Sequence, residues 1–88
     1  MISKFTTTHK VYLDNTLNKK NMKDEIINAV LDIDINAEVI DEGRYWFLIE
    51  TDGAYEYDVI EAIENIVGHD GIEEIQNKGA ATYITVLI

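Results

Sequence analysis

Seven consecutive residues, Arg44-Tyr45-Trp46-Phe47-Leu48-Ile49-Glu50, constrain the fold more than any other stretch of this chain. Aromatic or branched apolar side chains fill the five central places, Gly43 precedes them, and a charge stands at each end. Such a run reads as a central strand with little polar surface on either face. Alternation puts Tyr45, Phe47 and Ile49 on one face and Arg44, Trp46, Leu48 and Glu50 on the other. Helices can cover one face. The other then presents Trp46 and Leu48 with nothing obvious in the chain to bury them, which makes both candidates for partner binding.

The flanking residues supply the rest of a small α+β domain. Lys4–Leu13 alternates loosely and holds three threonines, so a first strand is expected there. Asp14-Asn15-Thr16 is a turn, and Leu17 and Met22 flank Asn18 as a hydrophobic staple flanks an N-cap. Met22, Ile26, Ala29, Val30 and Ile33 recur at helical spacing, predicting a helix from about Asn18 to Leu31. A strand over Ala37–Asp41 follows, then a turn at Asp41-Glu42-Gly43 in which Gly43 supplies a positive φ angle. The central strand runs to about Thr51, and Thr51-Asp52-Gly53 opens a second helix. Its inward stripe is Tyr55, Val59, Ala62, Ile63 and Ile66, and Gly68 is its stop. Beyond a loop at His69-Asp70-Gly71, a strand over Ile72–Gln76, a turn at Asn77-Lys78-Gly79 and a final strand over Ala80–Ile88 complete the chain. The only internal repetition is a pair of helix-plus-hairpin halves.

Eighty-eight residues with 47% hydrophobic content suffice for a single domain spanning 1–88, with one core and no help from metal or disulfides. No apolar run approaches the ~18–20 residues of a membrane span, and Met1-Ile2-Ser3-Lys4 does not lead into a signal-peptide core. The absence of Cys suits the cytoplasm. The formal net charge is −10 and unevenly placed. Residues 1–23 hold five Lys and one acid, whereas residues 24–88 hold sixteen acids against Arg44 and Lys78. Such a surface repels nucleic acid and anionic membranes and attracts basic proteins.

Catalytic chemistry is poorly supplied. Ser3 is the only serine, there is no Cys, and His9 and His69 are far apart in sequence. His69-Asp70 has no nucleophile to serve, and no spacing suggests a zinc site. Asp32-Ile33-Asp34-Ile35-Asn36 looks briefly like the start of a calcium loop. Counted from Asp32, however, Ala37 stands where the turn needs Gly, and Gly43 where a bidentate Glu is needed. The chain is therefore expected to be no enzyme and to hold no cofactor or metal.

The element order resembles the ferredoxin-like split βαβ fold, a βαββαβ sandwich. That resemblance implies an antiparallel sheet with both helices on one face and, here, an extra C-terminal strand. Gly43-Arg44-Tyr45-Trp46-Phe47-Leu48-Ile49 faintly resembles the RNP1 strand of RNA-recognition domains, but Asp41, Glu42 and Glu50 surround it with the wrong charge. Acylphosphatases need Gly and Arg in the loop where this chain has Asp14-Asn15-Thr16.

Two functional readings remain. Helix 2 carries Tyr57, Asp58, Glu61, Glu64 and Asn65 on its outer face and Glu56 at its flank, with no Lys or Arg along it. Carboxylates three and four places apart are rooted roughly 5–6 Å from one another, a spacing that can imitate phosphates and draw counterion-rich basic surfaces. In size, charge and lack of a catalytic set the chain resembles small phage-encoded inhibitors of host defence, anti-CRISPR proteins among them. This implies an acidic inhibitor or decoy for a basic, nucleic-acid-handling protein, with Asp58, Glu61, Glu64, Glu56, Trp46 and Leu48 as the binding residues. The alternative is a homodimeric regulatory domain resembling the ACT type, paired through the Trp46 face or a sheet edge and binding a small ligand.

Overall fold

In the computed structural model the described residues are 22–88. The strand expected at Lys4–Leu13, the turn after it, Leu17 of the expected staple and the start of the first helix lie outside them. The described chain begins in helix α1, residues 22–33. Strands β1 (Glu38–Glu42) and β2 (Trp46–Asp52) follow, then a short 3-10 turn, Gly53–Tyr55, that leads into helix α2 (Glu56–Val67). A second 3-10 turn, His69–Gly71, precedes strands β3 (Ile72–Lys78) and β4 (Ala81–Leu87). The four strands form one antiparallel sheet in the order β1-β2-β4-β3.

That order departs from the ferredoxin-like expectation. The C-terminal strand is central rather than an additional edge: β4 pairs with β2 over seven positions, from Trp46 opposite Leu87 to Asp52 opposite Ala81. The burial of β4 fits its place. Thr82, Ile84 and Val86 are all fully buried on one face, a demand that a central strand meets better than an edge. β1 and β3, by contrast, are rich in Glu and Asp, and each pairing with its neighbour slips once, between Val39 and Asp41 and between Ile72 and Glu74. Charges and bulges of this kind keep exposed edges from pairing with other chains.

The core lies between the sheet and the two helices. Ile26 and Val30 of α1, Val59 and Ile63 of α2, Phe47 and Ile49 of β2, and Ile84 and Val86 of β4 form one cluster, each at most 2% exposed. The alternation expected for the central strand therefore holds for Phe47 and Ile49, which face the helices, and Trp46 and Leu48, which face away. Tyr55 is the exception in the α2 stripe. It sits in the 3-10 turn ahead of the helix and is 42% exposed.

Local chemistry sets the element ends. Gly68 takes a φ of +82° and its N–H donates to the Glu64 carbonyl at 2.8 Å, stopping α2. Gly79, at φ +63°, opens a two-residue turn between β3 and β4. Asn77 and Lys78, expected in that turn, belong to β3, with Asn77 opposite Thr82 and Lys78 opposite Ala81. Gly43 does not have the positive φ expected of it. Space is the reason for glycine there: a Cβ would overlap the indole ring of Trp46, which lies against the turn.

Candidate functional site

The residues singled out for binding divide between opposite sides of the sheet. On the helix side, Asp58 and Glu61 are exposed on α2. Glu64 is partly covered and pairs with His69, Nδ1 to Oε2 at 3.1 Å. Glu56 turns inward instead. Its Oε1 lies 3.0 Å from the Thr82 hydroxyl, which also lies 2.9 Å from Asn77 Oδ1. One hydroxyl proton serves only one of these two acceptors at a time, so Glu56 is part of the fold's internal hydrogen bonding rather than of an outer acidic face.

Helix α1 extends the acidic surface with Asp24, Glu25 and Asp32, all exposed. The Lys and Arg residues in the described chain are engaged elsewhere. Lys23 pairs with Glu42 and lies 5.6 Å from the centre of the Phe47 ring. Arg44 stacks on Tyr45 in the first hairpin turn. Lys78 lies over Tyr83 on the opposite face of the sheet. Asp58, Glu61 and Glu64 follow one another at three-residue spacing with no basic side chain of α2 between them, and like charges so placed repel.

The far side of the sheet carries Trp46, Leu48, Tyr83 and Thr85, all partly covered, and Leu87, 38% exposed. Ile40, the extra residue at the β1 bulge, is 44% exposed there. Ile40, Leu48, Tyr83 and Thr85, with Glu74, Gln76 and Lys78, line a shallow hollow of about 300 Å³. The Tyr83 hydroxyl donates to Glu50 Oε2 at 3.1 Å, and this bond together with the negative charge raises the phenol's pKa above its ordinary value. Trp46 is not bare, because its indole covers the backbone at Gly43.

One acid that composition gave no reason to separate from the others turns out to organise the end of the sheet. Asp34, 5% exposed, leaves α1 and plugs the turn into β1. Its Oδ2 accepts from the Thr51 hydroxyl at 2.7 Å and from the Asp52 N–H at 3.0 Å, and its Oδ1 accepts from the Asn36 N–H at 3.0 Å. The Asp52 and Thr51 bonds dominate and hold the carboxyl below its ordinary pKa, against the opposing effect of burial. The Asp32–Asn36 segment is thus a helix exit tied to β2 through the donors around its buried carboxylate. The signal was present in the sequence as an Asx residue two places before Asn36, a pattern that forms turns. Thr51 as its distant partner was not readable.

A groove of about 850 Å³ borders this plug, walled by Glu38, Glu50, Asp52, Tyr55 and Lys78. Among the described residues, no group of three or more His, Cys, Asp or Glu is placed to hold a metal ion, and no helix is long and apolar enough to cross a membrane. His69 is exposed beside Glu64, and His9 lies outside the described residues. No protein-family model matches this chain, and no curated protein or solved structure is significantly similar to it.

Proposed function

We propose that this protein acts by binding: it is an acidic inhibitor or decoy that offers the carboxylates of its helix layer to a basic, nucleic-acid-handling protein. One observation carries the reading. Asp58, Glu61 and Glu64 stand in a row on α2 without a basic partner on the helix, an arrangement that costs the fold roughly 0.2–0.5 kcal/mol per like-charged pair. Asp24, Glu25 and Asp32 continue the same sign on α1. A cationic partner would relieve that repulsion and release its own counterions, as it does on a phosphate backbone. This is the way in which the chain would act like the small phage-encoded inhibitors that it resembles in size and charge.

The test is a pull-down from host lysate at low and high salt, followed by affinity measurements with Asp58→Asn, Glu61→Gln and Glu64→Gln combined. The reading expects weaker binding and a flatter salt dependence, with folding intact. A triple variant that binds as tightly as the parent, with the same salt slope, would show that these acids are only solvated.

A further inference from the structure

We draw no further inference here: the strongest candidate, the groove beside the Asp34 plug walled by Glu38, Glu50, Asp52, Tyr55 and Lys78, is an acidic cluster whose buried carboxylate, Asp34, already accepts three hydrogen bonds from the fold itself, and nothing else among the described residues points to a ligand there.

Discussion

Asp34→Asn removes one charge from an almost fully buried place and changes almost nothing in volume, so its effect isolates the electrostatic part of the plug. The native carboxylate accepts three hydrogen bonds, two at Oδ2 and one at Oδ1. An amide has one acceptor oxygen. Turned to keep Thr51 and Asp52, it points its NH₂ at the Asn36 N–H, and two donors then face each other. The variant therefore loses one charge-assisted bond and weakens the other two. A hydrogen bond to a charged group contributes about 1.5–3 kcal/mol, and the expected loss is of that size. For a chain this short, with a urea slope of roughly 1 kcal/mol/M, the midpoint should fall by about 1.5–3 M. Acidification checks the cause. The folded-state pKa of Asp34 lies below its ordinary 3.8, so its stabilisation is fully present above that value and is lost as pH falls through the folded-state pKa. The gap between parent and Asp34→Asn should consequently narrow at acid pH, and carbon-13 titration should place the Asp34 midpoint below 3.8. A variant within ~0.5 kcal/mol of the parent at neutral pH, the range of an ordinary surface change, would refute the account of Asp34 as the plug.

Three further outcomes are expected. Phe47→Ala, at a site with no exposure, should cost about 3–5 kcal/mol, and an unchanged melting temperature would contradict the placement of the core. Gly43→Ala should push the Trp46 indole off the turn, moving its emission to the red at a cost of about 1–3 kcal/mol; an unmoved spectrum would show that the turn yields instead. The Asp58, Glu61 and Glu64 triple variant should melt slightly higher than the parent, by a few tenths of a kcal/mol in stability, and a lower melting point would assign those acids a structural task.

Periodicity made the core legible. Ile26, Val30, Val59 and Ile63 recur at helical spacing, and Phe47 and Ile49 alternate with Trp46 and Leu48, so which side faces inward could be read before any coordinates. Pairing was not legible. Nothing local in Ala81–Leu87 says whether it lies at an edge or between β2 and β3; that is decided by which strand buries Thr82, Ile84 and Val86 most fully. Gly43 shows a related limit. A glycine in a turn suggests a φ angle, yet its reason here is an aromatic ring folded over it from three residues away. Among the binding candidates, Glu56 read as a helix flank because its inward partner Thr82 is distant in sequence, whereas Asp58 and Glu61 lie where helical spacing puts them. Ile40 and Glu74 escaped notice because bulges shift which residues share a face.

The pairing of β2 with β4, which joins the two hairpins into one sheet, leaves its mark on time as well as on shape. Each hairpin closes over a turn of two or three residues, an event of about 1–10 μs for an isolated hairpin. The β2–β4 pairing joins positions such as Asp52 with Ala81 and Trp46 with Leu87, and closing loops of that length carries an entropy cost that contacts within either hairpin do not. Each hairpin is therefore expected to form fast, and the joining of β2 with β4 to be the slower step. Until it happens, Phe47, Ile49, Ile84 and Val86 are exposed on two incomplete faces. During that interval the like charges of β1 and β3 act as guardians, holding half-built chains apart while the central strands find each other.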